Sequence, residues 1–322
     1  MVTLLEADSV EVTTLVDNQI DALLPGDEQV KRHAWARMGV HNPYIDAPAV
    51  ANGLRAEHGF AALVTVTRGD ERHTILFDLG VSPNGLIENM DRLEIGAQDI
   101  EAVVLSHGHF DHTGGIEGLV TRLGRAGMPL VLHPAAYTRR RAAPPGGEPT
   151  PLPPPSRAAL EGAGFELVEA RDPSVLFADT VLVTGEVART TPFERGFPFF
   201  ERTAGSGWEA EPHLLDDQAL VVNIRNRGLV ILSGCGHSGI VNIVRHARTL
   251  TAVPRVHAVL GGFHLSGAYF EPTIGPTIDA LRSFDPAVIV PAHCTGYKPQ
   301  MAIAAAMPAA YVHNAVGTSY LL

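Results

Sequence analysis

The chain has 322 residues, of which 45% are hydrophobic and 18% are charged, and its formal net charge is −11. The apolar share predicts a globular protein with a sizeable core, and the acidic balance excludes nucleic acid as a partner, because a phosphate backbone requires a basic face. Two cysteines cannot form a disulfide framework, no run approaches the roughly 20 apolar residues of a membrane span, and the N-terminus lacks the features of a signal peptide. We therefore expect a soluble cytoplasmic protein without membrane partners.

Short runs rich in Val, Ile and Leu recur along the chain and predict β-strands. In chain order they are SVEVTTLVDN, AALVTVTRG, HTILFDLG, IEAVVLSHGH, PLVLHP, TVLVTGEV, ALVVNIRN, GLVILSGCGH, VHAVLGGFHL and AVIVPAHCTG. Helix-like stretches such as SGIVNIVRHARTLTA and PTIGPTIDALRSF separate the later runs. Strands that come first as hairpins and then alternate with helices predict mixed sheets, which we assign to one domain over residues 1–322.

Two segments, at about residues 137–157 and 189–215, interrupt this rhythm and predict loop insertions. The first contains RRRAAPPGGEPTPLPPPS, whose seven prolines predict no regular element. Its three arginines are interpreted either as a solvated loop or as an attraction for an anionic or phosphorylated substrate. The second contains a group of aromatic residues that could cover a pocket or form a homodimer contact. These aromatic residues are Phe193, Phe197, Phe199, Phe200 and Trp208.

The strongest chemical signal is VVLSHGHFDHTGG, which holds the pattern H-x-H-x-D-H at His107, His109, Asp111 and His112. A buried strand is predicted to end at Ser106, so the following turn brings four metal-binding side chains into a small volume. His107 and His109 can chelate one ion, while Asp111 and His112 face a second ion about 3.5–4 Å away. Imidazole and carboxylate suit zinc, with manganese or iron as alternatives. We predict two zinc ions, with a single ion as the alternative.

The stretches ILFDLG and LSHGHFDHTGG resemble the metallo-β-lactamase superfamily. Further stretches, LVDN, AEHGF, DDQAL, GLVILSGCGHSGIVNI, VHAVLGGFHL and PAHCTG, are similar to its branch of dihydropterin–ribofuranosylaminobenzene phosphate synthases and their bacterial relatives. The resemblance implies an α/β fold, an αββα sandwich of two mixed β-sheets with the metals at one edge. It also implies that Asp78 supports the histidine loop through hydrogen bonds, although an ordinary turn residue is an equal interpretation.

The resemblance implies three later ligands, each after an apolar strand. TVLVTGEV contains Glu186 where a histidine is usual, GLVILSGC offers Cys235 where an aspartate is common, and VHAVLGGFHL supplies His264. We interpret His237, two residues after Cys235, and His264 as completing the ligand set. Cys235 is either a ligand or a packed thiol. Glu186 is a candidate replacement for the missing histidine, with a salt bridge or a substrate contact as alternatives.

His293, in VIVPAHCTG, follows the next strand and is expected near the metals. A hydrogen bond to substrate or an oxyanion role is favoured over ligation, and a structural histidine is the alternative. His58 is expected at the rim at most. Cys294 is expected to pack inward, and His133 to be structural.

These residues favour a metal-dependent hydrolase in which a metal-activated water attacks an ester, lactone or phosphoester of a small molecule. Asp111 and His293 are the predicted catalytic residues, with Asp111 both a ligand and an orienter of the nucleophile. The resemblance implies a second hypothesis, a synthase that condenses a dihydropterin diphosphate with a ribosylated aminobenzene phosphate. A third hypothesis is a non-catalytic ligand sensor on the same fold, against which the intact motif argues.

Overall fold

The computed structural model describes residues 1–33, 39–124 and 126–322. Its strands are β1 (Glu6–Ala7), β2 (Ser9–Val16), β3 (Val30–Arg32), β4 (Gly39–Val40), β5 (Val50–Ala51), β6 (Ala61–Arg68), β7 (Glu71–Phe77), β8 (Ala102–Val104), β9 (Met128–Leu132), β10 (Arg140–Ala142), β11 (Thr150–Leu152), β12 (Phe165–Glu169), β13 (Ser174–Leu176), β14 (Val181–Val183), β15 (Phe200–Ala204), β16 (Gly207–Ala210), β17 (Ala219–Ile224), β18 (Gly228–Ser233), β19 (Val256–Gly262), β20 (Val288–Ala292) and β21 (Thr318–Leu321). Its α-helices are α1 (Gly85–Arg92), α2 (Phe110–Thr113), α3 (Ile116–Leu123), α4 (Arg157–Gly162), α5 (Ile240–Thr251), α6 (Ile274–Phe284) and α7 (Tyr297–Ala306). Across the three described ranges, no helix combines the length and apolarity that a bilayer crossing requires.

Two mixed sheets form the centre of the molecule, as the strand pattern predicts. The first has the order β12-β9-β8-β7-β6-β2-β21-β3, and the second has the order β13-β14-β17-β18-β19-β20 with β1 paired to β17. Strands β7, β8, β9 and β12 run parallel, and so do β18, β19 and β20. Helices α5 and α6 are the crossovers between the parallel strands of the second sheet, because parallel neighbours need a long connection.

Apolar residues on successive positions of one strand enter different cores, because side chains alternate between the two faces of a sheet. In β8, Val104 belongs to the core between the two sheets, whereas Val103 packs with Leu86 and Leu119 of α1 and α3. The outer face of the second sheet packs in the same way on α5, α6 and α7. The layers are therefore helix, sheet, sheet and helix, which confirms the predicted αββα sandwich.

The two predicted loop insertions differ from the expectation of irregular structure. Strands β10 and β11 from the first insertion pair with β15 and β16 from the second in a small sheet of order β11-β10-β15-β16. Proline is tolerated there because Pro151 lies in β11, which is an edge strand that need not donate on its open side. The prediction that the first insertion has no regular element is therefore wrong.

Candidate metal centre

The loops that follow β8, β18, β19 and β20 bring most of the predicted metal-binding side chains to one edge of the sandwich. Among the residues that the structure describes, three groups have ligand atoms that lie within 4.8 Å of one another: Asp111, His112, Cys235 and His293; His107, His109 and His237; and Cys235, His237 and His264. The first loop passes close to another segment at Gly108, where a Cβ would lie 2.0 Å from the Ala136 carbonyl oxygen. Only glycine allows this approach between His107 and His109.

The group of His107, His109 and His237 fits a metal ion. All three side chains are buried, and their Nε2 atoms have no hydrogen-bond partner within the described residues. The Nδ1 of His107 lies 2.9 Å from Ser106 Oγ, which itself donates to Asp78. Because that hydroxyl proton is already used, the oxygen accepts from Nδ1–H of His107 and leaves the Nε2 lone pair free. Buried polar atoms normally have a partner, so three buried nitrogens that converge without one fit the coordination of a metal ion.

The second group contains Asp111, His112 and His293, with Cys235 beside them. His112 Nε2 lies 3.2 Å from both His293 Nε2 and Cys235 Sγ, and His293 Nε2 lies 3.3 Å from Asp111 Oδ2. The carboxylate of Asp78 accepts a hydrogen bond from His112 Nδ1 at 2.7 Å, which turns the Nε2 lone pair towards the group. The sequence predicts a substrate contact or an oxyanion role for His293, and its ring lies among atoms that could also hold an ion.

Asp78 links the two groups. It is fully buried after β7, and its carboxylate accepts hydrogen bonds from the backbone N–H and the hydroxyl of Ser106 and from the His112 ring. The predicted hydrogen bonds of Asp78 to the histidine loop are confirmed. Its backbone has a φ of 60°, a left-handed conformation that is uncommon outside glycine. Such conformations persist where surrounding contacts fix them, and they are frequent at functional sites.

The third group brings His264 next to His237, with ring centroids 4.1 Å apart, and includes Cys235. The Nδ1 of His264 is buried and lacks a hydrogen-bond partner within the described residues. Cys235 is buried, and Cys294 donates from Sγ to its carbonyl oxygen at 3.0 Å. The two cysteines of the chain, 59 residues apart in sequence, thus lie in contact with each other.

Asp17 and Asn18 hold His293, and sequence reasoning assigned them no role. Asn18 Oδ1 lies 3.1 Å from His293 Nδ1, and an amide oxygen can only accept, so Nδ1 carries the proton and Nε2 faces the metal group. Asn18 Nδ2 also donates to the His293 carbonyl, and buried Asp17 accepts from the His293 N–H. These bonds hold His293 at a φ of 46°. The sequence signal for both residues is the stretch LVDN, which is one of the stretches that resemble the synthase branch of the superfamily.

Replacing Asn18 with Ala is expected to weaken binding of the ion at Asp111, His112 and His293 by roughly 10- to 100-fold, because the ring loses the acceptor that sets its tautomer. Binding at His107, His109 and His237 is expected to change little. Competition with a chelator followed by cobalt absorption spectra measures both sites. Asn18→Asp, which keeps an acceptor oxygen, is the matched control and is expected to retain most of the affinity. Equal loss at both sites in Asn18→Ala would contradict this role.

A buried ion network joins the small sheet to the histidine loop. Arg140 in β10 donates to Glu211 and to Asp216, and Asp216 accepts from the backbone N–H of Gly108 at 2.9 Å. All three charged side chains are buried. Arg141 pairs with Glu201 and lies over the Trp208 ring. The side chains of Arg140 and Arg141 are therefore both paired with carboxylates within the protein.

The electrostatics of the two groups differ. Burial lowers the pKa of His107 and His237 well below 6.5 and that of His109 to about 4, so these rings are neutral near pH 7. Burial would also lower the pKa of His112, but the nearby Asp78 and Asp111 carboxylates raise it to about 9. A neutral imidazole is the form that binds a metal. The group of His107, His109 and His237 can therefore bind an ion near pH 7 without losing a proton, whereas His112 in the second group must first release one.

This difference predicts two pH profiles for metal binding to the metal-free protein. Between about pH 5 and 8 the affinity of the His107, His109 and His237 group is expected to stay flat, since its rings stay neutral above their lowered pKa values. The affinity of the second group is expected to fall about tenfold per pH unit as the pH drops below 9, because the ion must displace the His112 proton. Calorimetric titration at pH 6, 7 and 8 measures both, and parallel profiles would contradict the expectation.

Three other predicted residues lie outside the ligand groups. Glu186 accepts hydrogen bonds from Arg171 and from His133 Nε2, at 2.8 and 3.2 Å, which is the salt-bridge alternative and not ligation. His133 caps the turn at Ala135 through Nδ1, a structural role. His58 is exposed, and its Nε2 lies 3.9 Å from Asp111 Oδ2, at the rim.

An αββα sandwich with an H-x-H-x-D-H loop and converging histidines at one edge defines a class of metal-site proteins. Residues 56–250 match the family model of the metallo-beta-lactamase superfamily. The chain is also 30% identical over 249 residues to a 7,8-dihydropterin-6-methyl-4-(beta-D-ribofuranosyl)-aminobenzene-5'-phosphate synthase of Methanocaldococcus jannaschii, a match that covers 76% of this chain and 82% of that protein. The chain therefore belongs to the metallo-beta-lactamase superfamily.

Two solved structures share the fold. The crystal structure of Tm1679, described as a metal-dependent hydrolase of the beta-lactamase superfamily, superposes with a TM-score of 0.70 at 22% identity and covers 96% of this chain and 98% of its own. The metallo-beta-lactamase fold protein YhfI from Bacillus subtilis gives a TM-score of 0.53 at 11% identity and covers 98% of this chain and 100% of its own. At these identities the likeness concerns the fold alone.

Proposed function

We propose that the protein is a metal-dependent hydrolase that cleaves an ester, lactone or phosphoester of a small molecule. The observation that carries the proposal is the pair of adjoining ligand groups: one has three Nε2 atoms without a hydrogen-bond partner among the described residues, and the other has a carboxylate. We assign His107, His109 and His237 to one divalent ion. We assign a second to Asp111, His112 and His293, with Cys235 as a further candidate. Zinc suits these donors, and manganese or iron are the alternatives.

When bound, two such ions lower the pKa of a water molecule and polarise a carbonyl or phosphoryl oxygen. The side chain of Asp111 reaches solvent, with 14% of its surface exposed, and we assign it to accept a hydrogen bond from the attacking water and so to orient it. His264, whose buried Nδ1 has no hydrogen-bond partner among the described residues and which groups with Cys235 and His237, is a further candidate ligand. Asp78 and Asn18 hold the rings in the tautomers that these roles need.

The test is turnover of a panel of lactones, phosphodiesters, carboxylic esters and β-lactams by protein loaded with zinc or with manganese. Metal content is measured in the same samples. We expect hydrolysis of at least one class, lost after chelation and restored when the metal is returned. Fully metallated protein that turns over no member of the panel would show that the hydrolase proposal is wrong.

A second candidate is a synthase that joins a dihydropterin diphosphate to a ribosylated aminobenzene phosphate with loss of pyrophosphate. Its support is the synthase activity for which the Methanocaldococcus jannaschii relative, 30% identical to this chain, is named. In that reaction the ions would neutralise the diphosphate leaving group. Incubation of the loaded protein with both substrates tests it, and pyrophosphate release that depends on both would favour the synthase over the hydrolase.

A further inference from the structure

A cavity of about 340 Å³ opens beside the candidate metal centre. One wall is the segment from Pro192 to Phe197 in the second insertion, and the others are the loops that follow β18 and β19. His237 and His264 line its inner end. Its volume falls in the range of about 300–1,000 Å³ that is typical of small-molecule pockets. A substrate whose reacting group lies at the ligands would therefore extend into this cavity.

The walls of the cavity are mainly hydrocarbon and aromatic. Phe197 and Phe270 lie with ring centroids 5.7 Å apart and planes 23° apart, and Tyr269 meets both rings at steep angles. Phe193 and Leu265 add further apolar surface. Phe270 also packs edge-on against the His264 ring, with centroids 4.9 Å apart. The aromatic surface thus continues to the metal end without a break.

Away from the metal end, most polar side chains of the cavity walls form hydrogen bonds within the protein. The carboxylate of Glu194 accepts from the backbone N–H groups of Val241 and Asn242 and from the Thr191 hydroxyl. The Thr273 hydroxyl donates to the Phe270 carbonyl, and Nε of Arg195, an exposed residue, donates to the Pro192 carbonyl. A polar ring buried in this cavity would leave its own donors and acceptors unpaired, which is costly.

We propose, on the basis of the hydrolase function above, that this cavity binds the apolar acyl or aryl part of an ester or lactone. The carbonyl lies at the end formed by His237 and His264. In the reaction the acyl C–O bond breaks, the oxygen of water joins the acyl carbon, and the two protons of water are divided between the alcohol and the acid. The apolar walls bind the hydrocarbon because its transfer out of water is favourable.

A matched series of esters tests the substrate class: methyl acetate, methyl butyrate, methyl hexanoate and monomethyl adipate, whose chain ends in a carboxylate. For the metal-loaded protein, kcat/KM is expected to rise about fourfold per added methylene up to hexanoate. The value of kcat/KM is expected to fall sharply for the adipate ester, because its carboxylate would lose its hydration on entering the apolar cavity. Equal rates along the series, or a preference for the adipate ester, would overturn the inference and leave the hydrolase function intact.

The variant Tyr269→Ala is expected to reduce the hexanoate-to-acetate ratio of kcat/KM several-fold, because Tyr269 forms part of the wall. The matched control is Tyr44→Ala, whose side chain is exposed and lies outside the cavity lining. A ratio that is unchanged in Tyr269→Ala would count against the cavity as the acyl site.

A binding measurement separates this inference from the hydrolase proposal. N-methylhexanamide and N-methylacetamide serve as probes in ligand-observed NMR with the metal-loaded protein. We expect the hexanamide to bind at least several-fold more tightly, and Tyr269→Ala to remove this difference. If no ester is hydrolysed but the difference is found, the hydrolase proposal fails and the apolar ligand class stands. If esters are hydrolysed and the two amides bind equally, the ligand class fails.

Discussion

Replacing His109 with Ala is expected to remove one metal ion from the protein and to lower turnover of any hydrolysed substrate by at least about 100-fold. His109 Nε2 is buried, has no hydrogen-bond partner in the part of the chain that the structure describes, and belongs to the group with His107 and His237. Loss of a residue that only orients a metal ligand by a hydrogen bond typically lowers metal affinity or activity by about 10- to 100-fold. Loss of the ligand itself should therefore lower them by at least the upper end of that range.

Metal analysis after dialysis and kcat/KM on the best substrate measure the His109→Ala effect. His41→Ala is the matched control, because His41 is exposed and lies outside the three ligand groups. It is expected to keep both ions and full activity. A His109→Ala protein that retained both its metal and its activity would show that the site assignment is wrong.

Replacing Arg140 with Ala is expected to lower the free energy of unfolding by about 3–5 kcal/mol, because it leaves the buried carboxylates of Glu211 and Asp216 without their cation. The same change is expected to weaken metal binding at the first group. Asp216 accepts from the N–H of Gly108, which lies between His107 and His109, and its release from Arg140 lets this loop move.

Urea unfolding of the metal-free protein measures the Arg140→Ala effect. Arg141→Ala is the control on the next residue of β10. Its partner Glu201 is partly exposed, so this pair is expected to contribute no more than about 1 kcal/mol. Equal unfolding free energies for Arg140→Ala and the unaltered protein would contradict the network described above.

Local sequence patterns predicted much of the fold, because a buried strand can be identified from the hydrophobic residues of one short segment. The apolar runs that became β17, β18, β19 and β20 are buried on both faces, so each appears in the sequence as a nearly continuous hydrophobic stretch. The prolines of the first insertion misled the prediction, because their effect depends on whether a strand is at an edge. That position follows from the pairing of β10 with β15, which lie about 60 residues apart.

The candidate site was predictable in its first loop and less so in the others. His107, His109, Asp111 and His112 are neighbours in sequence, so their meeting needs only a turn. The choice among Glu186, His237, His264 and His293 depended on which strand ends converge. In the structure, Glu186 forms a salt bridge with Arg171, and the three histidines belong to ligand groups near the H-x-H-x-D-H loop.

The sequence by itself determined the class of fold, the loop that carries H-x-H-x-D-H and the kind of ion that such donors suit. These features depend on the order of residues within segments of about ten. The tertiary structure alone decided that Asn18 sets the His293 ring from 275 residues away, that Arg140 holds the histidine loop through Asp216, and that the two cysteines meet. These contacts depend on strand order, on the stacking of the two sheets, and on left-handed backbone at His264 and His293, none of which a local pattern specifies.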